Sequence, residues 1–469
     1  MEDALDAYVQ GASRAPCKVA VSDRVPAGRG LVLTADVEPG ELVLEVPPSV
    51  LLNCSSMHKR HALGNAPRKN AFEKRGAGGP LSSHQVISCA LAQWRAGGRP
   101  DTVLAPFLVS LPDAFPTAPL TWAVEGGMEN TDILKSLSHT ARSRADQVKS
   151  RFDRDWHHIA EITSQAMYQD IWASMGMCGT APTISQHDFL WGWMCTNSRC
   201  VYMDLGYAQH PDNFTLAPLL DMANHTAVPW LECKVRYDVR GGLELLAPSQ
   251  PRPERAGRQG WRKGDEVCIT YGAHANTTLL AEYGFVLPAD LHPDDAYYTG
   301  NRYNDVLLDE AIITLLDTQG DVGQWKRELL ESEGYWADYS IHPSPAPAHP
   351  SHRLHTALRL VCMEIDEAKR QKTPGARPES RTRTDAERVW RLVTRGGRES
   401  ISSANEDAVR KQLSTLCNAL HASHAQKLAM LASIQGTDPE AIRIVQQVLY
   451  EEQRIAELVR ISAEKGDAW

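Results

Sequence analysis

The sequence predicts an α+β chain, with a β-rich core interrupted by a long helical segment and followed by an all-α C-terminal domain. Three observations predict it. Strand-like alternation is confined to two stretches, about residues 28–46 and 232–271; the texture between them is polar and helix-compatible; apolar stripes at helical spacing run through the last third. At 469 residues the chain exceeds what a single hydrophobic core usually organises, so more than one domain is expected.

Taken in order, the N-terminus "MEDALDAYVQ" carries acidic residues and no apolar run, so it does not read as a signal peptide. In "GRGLVLTADVEPGELVLEVPPSVLLN" the segments Leu31–Leu33 and Leu42–Val46 flank Pro39-Gly40, a pair suited to the centre of a type II turn; the expectation is a β-hairpin. From about His58 to Trp193 helical spacing takes over. In "SSHQVISCALAQWRA" Val86, Ala90 and Leu91 share a face, and Ser82 or Ser83 is the candidate N-cap.

In "ECKVRYD" Cys233, Val235 and Tyr237 alternate with charged residues, which predicts a half-buried strand that turns back at 240–242 through Leu243 and Leu245. "SQPRPERAGRQG" reads as an exposed loop. In "GDEVCITYG" Val267, Ile269 and Tyr271 share a strand face, and "NTTLLAEYGF" predicts a short helix capped by Asn276 and stopped at Gly284. Beyond Gly300, Leu354, Leu358, Val361 and Ile365 form one helical stripe, and Ile442, Val445, Leu449, Ile455 and Val459 another. Two interruptions are expected: "HPSPAPAHP" (342–350) as a stiff extended connector, and the basic stretch 370–388 as a loop.

Composition narrows the function classes. Hydrophobic residues make up 42% and charged residues 23%, as in an ordinary globular protein. A net charge of −9 and a pI near 6.0 do not favour nucleic acid as a partner. Ten cysteines are scattered without CxxC pairs; Cys195 and Cys200 approach most closely. They read as reduced thiols of an intracellular protein, with no metal site. With no window of about 18 apolar residues to span a membrane, the expected address is cytoplasm or nucleus.

Familiar catalytic motifs are absent: GxSxG, HExxH and the phosphate-binding GxxxxGK[ST] do not occur. Gly28-Arg29-Gly30 lacks the third glycine of a dinucleotide loop, and a strand rather than a helix follows it. The histidines of "HKRH" (58–61) and "DWHH" (155–158) read as solvated faces. What remains is three segments that set polar or phenolic groups against apolar runs: "NSRC" (197–200), "LLDMANH" (219–225) and "ITYGAHANTTLLAEYGF" (269–285). Each alone reads as a turn or a satisfied core polar group. Their order and spacing carry more.

The hairpin segment, "LLDMANH" and "GDEVCITYGAHANTTLLAEYGFV" together resemble the split SET domain of the Rubisco large-subunit methyltransferase-like class of protein methyltransferases. "FLWGWMCTNSRCVYMDL" resembles the end of the helical segment inserted in that class. The match in order covers about residues 20 to 290, and the C-terminal half is similar in texture to the class's helical substrate-binding domain. The resemblance implies a knotted SET core in two parts, 1–57 and 201–300, an inserted helical segment at 58–200, and a substrate-binding domain at 301–469.

It also implies S-adenosylmethionine as cofactor, with residues carried over one by one. Asn224 and His225 would contact the cofactor where the chain threads through a loop. Ala27, Gly28 and Arg29 match the first cofactor-contacting loop, the glycine permitting close backbone approach. Arg199 would hold the methionyl carboxylate and face the substrate; the plain alternative is that Ser198 and Arg199 cap local backbone. Asp221 would brace the turn or face the substrate. Tyr271 matches the tyrosine at the reaction centre, in contact with cofactor and substrate, and Tyr283 the aromatic wall of the target channel.

The implied activity is protein-lysine N-methylation of a histone or non-histone protein by a monomer, without nucleic acid or membrane as partner. The cysteine-rich zinc segment of histone-type members is missing, as expected for this class. A related member that modifies histidine lacks a tyrosine where this chain has Tyr283, which favours lysine. Two other readings stand beside it: a protein-histidine methyltransferase, and a non-catalytic SET module whose C-terminal helices bind a protein partner.

Overall fold

The computed structural model describes residues 2–54, 56–57, 81–99, 102, 104–162, 166–205, 213–237, 241–249, 260–289, 298–366, 382–434, 436 and 438–469. The chain divides into two units, one of residues 1–126, 145–273 and 281–284, the other of 127–144, 274–280 and 285–469.

The first unit is built around two small sheets. β1 (Val19–Ser22) and β2 (Gly30–Leu33) form an antiparallel hairpin with Val19 opposite Leu33. β2 continues antiparallel to β9 (Glu266–Ile269), and β9 pairs in parallel with β6 (Asn224–His225), setting Asn224 opposite Cys268 and His225 opposite Ile269. The second sheet is β3 (Leu42–Val46), β8 (Leu243–Leu246) and β7 (Lys234–Tyr237), all antiparallel. A third pair, β4 (Cys200–Tyr202) with β5 (Phe214–Leu216), leads into the turn before β6.

The turn at Pro39-Gly40 forms as expected, with the Glu41 N–H on the Glu38 carbonyl at 3.1 Å and Gly40 at φ 77°. The hairpin does not. β2 and β3 part into different sheets, because both are buried on both faces: β2 lies between β1 and the distant β9, and β3 pairs with the distant β8. Gly40 donates to the Ala247 carbonyl and Ala247 to that of Glu41, so the end of β8 captures the turn. β7 also departs from its reading: it is an uncovered edge strand, with Val235 38% and Tyr237 50% exposed. Alternation marks a strand but not whether a layer covers it. β9 fits its reading at Val267 and Ile269, both buried, but it ends at Ile269, so Tyr271 lies two residues beyond the strand while packing against the same core.

Helix α1 (Glu2–Ala12) precedes the sheets. Helix α2 (Ser83–Ala96) begins at a capping box in which Ser82 accepts from the Gln85 N–H and Gln85 accepts from that of Ser82. Helices α3 (His139–Ile162) and α4 (Gln186–Arg199) follow, with shorter helices between them. α4 approaches α2 closely at Gly192, where a Cβ would overlap the Ser88 carbonyl oxygen. Gly192→Ala is therefore expected to destabilise the first unit by about 1–3 kcal/mol, measured as a lowered thermal midpoint.

Helix α5 (Asn276–Tyr283) ends at Gly284, whose φ of 80° stops it as expected. Its cap is corrected. The Ala275 carbonyl starts the helix, while the Asn276 side chain bonds Leu287, Asn301 and the buried carboxylate of Glu451.

The second unit is helical, as the apolar stripes predict. Leu354, Leu358 and Val361 on α8 (His352–Val361), and Val445, Leu449, Ile455 and Val459 on α11 (Pro439–Lys465), are buried; Ile442 is only half-buried, and Ile365, also half-buried, lies beyond the end of α8. Helices α6 (Asp309–Asp317), α7 (Gly320–Ser332), α9 (Arg383–Thr394) and α10 (Ser403–Leu431) also belong to it, as does the short helix Met128–Ser136. It is not helical throughout. β10 (Val306–Leu307), β11 (Ser340–His342) and β12 (His349–Pro350) form a small antiparallel sheet, and the presumed stiff connector is the loop of the β11–β12 hairpin, His342 opposite His349. Its prolines lack the N–H a ladder needs, so only its ends pair.

Of the basic stretch 370–388, the part before 382 lies outside the described residues, as do "HKRH" and most of "SQPRPERAGRQG". Its end is helical, because Thr382 accepts from the Asp385 N–H and caps α9. No helix among the described residues is long and apolar enough to cross a membrane.

Candidate active site

"LLDMANH" descends from β5 into a short 3-10 turn, Leu220–Met222, and rises again as β6. Leu219, fully buried, enters this turn at φ 71°, a left-handed conformation that non-glycine residues adopt at a cost of order 1–3 kcal/mol. The turn carries the polar trio out of the apolar run and gives each member a distinct partner.

The Asp221 side chain is completely buried, and its Oδ2 accepts from Nη1 of Arg199 at 3.0 Å. The same nitrogen donates to the Asp221 carbonyl at 3.2 Å, so the last residue of α4 clamps the turn. Burial raises the Asp221 carboxyl above its ordinary range, against the lowering pull of Arg199. Ser198 bonds local backbone, donating to the Met194 carbonyl, whereas Arg199 bonds the backbone and the carboxylate of Asp221 across the turn.

Asn224 uses its amide within the protein, donating to the Arg29 carbonyl (3.0 Å) and to Oε1 of Glu266 (2.8 Å). That joins the 27–29 loop to β6 and β9. A Cβ on Gly30 would overlap Nδ2 of Asn224. Gly30→Ala is accordingly expected to break this brace and destabilise the unit by about 1–3 kcal/mol, with a matching loss of ligand affinity measurable by calorimetry. Ala27 and Gly28 are exposed, Gly28 at φ 90° with open space where a Cβ would stand. The Arg29 guanidinium turns away to the Ser110 carbonyl at 3.0 Å.

His225 lies nearly parallel to the ring of Tyr271, centroids 5.1 Å apart, and its Nδ1 accepts from the Tyr271 backbone N–H at 3.1 Å. The geometry assigns Nδ1 as the unprotonated nitrogen. The Tyr271 phenol donates to the Ala223 carbonyl at 2.8 Å, and its ring packs 5.0 Å from that of Tyr283. Burial raises both phenols, Tyr271 well above the ordinary value and Tyr283 to about 12, so both stay neutral at working pH.

The structure thus brings Arg199, Asp221, Asn224, His225, Tyr271 and Tyr283 into one chain of contacts and ties Arg29 to it by its backbone. Ala27 and Gly28 stand at the open end of that loop. Sequence reading missed Gly30 and Glu266; both lie inside the quoted motifs, but only the fold reveals that they meet Asn224.

The chemistry of these groups suits a cationic ligand. Oδ1 of Asp221 is buried and, among the described residues, has no hydrogen-bond partner; sealed from solvent, it acts on a ligand through its charge, which favours a positive group nearby. The neighbouring phenol and imidazole add no charge of their own.

The Rubisco LSMT substrate-binding family matches residues 319–455. The whole chain is similar to the structure of Rubisco LSMT bound to AdoMet, with TM-score 0.60 and 16% identity over 99% of this chain and 92% of that one. The chain has the split SET fold of the Rubisco LSMT class. Curated relatives of this SET chain include SET domain-containing protein 4 of Homo sapiens, 25% identical over 72% of the chain and 67% of that protein. Ribosomal lysine N-methyltransferase set11 of Schizosaccharomyces pombe is 22% identical over 67% of the chain and 64% of its own length. The SET chain therefore matches about two thirds of the length of these relatives.

Proposed function

We propose that the chain is an S-adenosylmethionine-dependent protein-lysine N-methyltransferase. The observation that carries the reading is the Tyr271 phenol, half-buried just beyond the end of β9 between His225 and Tyr283, with its hydrogen committed to the Ala223 carbonyl. A hydroxyl so oriented turns its lone pairs away from Ala223, ready to accept from the N–H of an incoming amine.

The cofactor, when bound, supplies an electrophilic methyl group on a sulfonium. Ala27, Gly28, Arg29, Arg199, Asn224, His225 and Tyr271 would hold it: the open loop at Gly28 admits its backbone-contacting part, and the unpartnered Asp221 oxygen beside Arg199 suits its positive groups. Arg199, Asp221, Tyr271 and Tyr283 would line the approach of the target side chain. A lysine must lose a proton to attack, and at pH 7 this costs roughly 4–5 kcal/mol from its reference pKa of about 10.4. Desolvation between two neutral aromatic rings lowers that cost, so no dedicated base is needed. Orientation does the rest.

Two relatives are named as ribosomal lysine N-methyltransferases, which makes ribosomal proteins the acceptor class to examine first. The second unit, which carries the match to the substrate-binding family at 319–455, would hold the acceptor protein. A cytoplasmic or nuclear address is in keeping with ten cysteines scattered through the sequence without the paired spacing of a disulfide framework. The test is transfer of tritiated methyl from S-adenosylmethionine to ribosomal subunits from cells lacking the gene, with the modified residue mapped by mass spectrometry. Labelled lysine supports the reading; labelled histidine, or no label together with no cofactor binding by calorimetry, sinks it.

A further inference from the structure

The last turn of α4 carries a second anchor that none of the roles above uses. Asn197 donates both amide hydrogens to Glu282, one to its carbonyl (3.0 Å) and one to Oε2 (2.9 Å). Nη2 of Arg151, from α3, reaches both oxygens of the same carboxylate, 2.6 Å from Oε1. The Arg151 guanidinium also lies over the ring of buried Trp193, 5.8 Å from its centroid. One residue beyond Tyr283, the Gly284 carbonyl accepts from Thr117 Oγ1 at 2.6 Å. The backbone on both sides of Tyr283 is therefore pinned by side chains, Asn197 at Glu282 and Thr117 at Gly284, while Arg151 holds the Glu282 carboxylate.

Asn197 and Arg199 are two residues apart on one helix, so their side chains leave it about 200° apart. One reaches Glu282 beside Tyr283; the other reaches Asp221, two residues before the carbonyl that holds the Tyr271 phenol. A single helical turn thus sets the two aromatic rings that stand 5.0 Å apart.

We propose that Asn197, with Arg151 and through Glu282, is a positioning residue that sets the clearance between Tyr283 and Tyr271, and with it how bulky an amine the site accepts. This rests on the methyltransferase reading given above. Neither side chain touches a reacting group. Loosening their hold lets the Tyr283 ring drift, which misaligns an unmethylated amine but gives room to one already carrying methyl groups.

The test has two arms. In the first, Asn197→Ala is expected to lower the methyl-transfer rate to ribosomal subunits on the order of tenfold to a hundredfold. The S-adenosylmethionine Kd should stay within about twofold, and the products should shift towards higher methylation. In a Tyr283→Ala background the same change should add little, because two residues acting through one group are not additive. Arg151→Ala should copy the effect, and Arg151→Lys, which keeps charge and a donor, should restore most of it. Equal losses in both backgrounds, or a Kd that weakens in step with the rate, would overturn the proposal.

The second arm does not depend on turnover. A fluorotyrosine placed at position 283 should give a single fluorine NMR resonance in the parent protein and a broadened or shifted one in Asn197→Ala. An unchanged resonance would overturn the proposal even if the enzyme is active. A changed resonance in a protein that transfers no methyl group would uphold the clamp on Tyr283 and reject the methyltransferase reading, and with it the part of the proposal that concerns the amine.

Discussion

Tyr271→Phe is expected to lower methyl transfer by on the order of a hundredfold or more, the usual effect of removing one pre-aligned polar group at a reacting centre. The ring remains, so its packing against His225 and Tyr283 is kept. What disappears is one hydrogen bond to the Ala223 carbonyl and one acceptor facing the amine. The stability cost should be about 1 kcal/mol, too little to unfold the unit. Cofactor affinity should change by less than about threefold if the hydroxyl orients the amine rather than anchors the cofactor. The pH profile gives the sharper check. Burial holds the Tyr271 phenol neutral well above the ordinary tyrosine range, so it does not act as the base. The rate should climb with pH as the target amine deprotonates, and Tyr271→Phe should keep that climb at reduced height. A variant that loses the pH dependence along with the rate would mean that the phenol itself exchanges the proton.

Much of this site is legible in the sequence because burial and polarity are local signals. Asn224, His225, Tyr271 and Tyr283 stand out as hydrogen-bonding groups set against apolar runs, and the structure joins all four. Ser82 announces the start of α2, and Gly284 the end of α5, for equally local reasons. Pairing is another matter. The pattern of Leu42–Val46 states that both faces are covered but not that the partner is Leu243–Leu246, about 200 residues on. The same limit hides the approach of Gly30 to Asn224 and of Asn197 to Glu282. It also hides Val19–Ser22, whose four residues are too few to stand out by alternation. Where the reading failed on exposure, as at β7, the missing information was again the neighbour: a strand looks the same whether or not another layer packs against it.

The pair Arg199–Asp221 should show the largest effect on stability. The Asp221 side chain has no exposure and Arg199 only 20%, so removing the guanidinium strands a carboxylate in a low-dielectric site. Breaking a buried pair from one side costs about 3–5 kcal/mol, and Arg199→Ala should lower the first unit's unfolding midpoint accordingly. The deficit must depend on pH. Burial already raises the folded Asp221 pKa above its unfolded value, and losing Arg199 removes the main opposing pull. A folded state that binds its proton more tightly than the unfolded chain loses stability as pH rises from the unfolded towards the folded pKa. The variant should therefore lie closest to the parent near pH 5 and fall furthest behind near pH 8. Adding Asp221→Asn removes the stranded charge, so the double variant should recover most of the stability and all of the excess pH dependence. It should still bind S-adenosylmethionine poorly and transfer no methyl group, because what the pair gives the site is a placed charge rather than a folded backbone. Equal deficits at pH 5 and pH 8 would mean that Asp221 is already protonated beside Arg199, and the argument for a cationic ligand at its free oxygen would go with it.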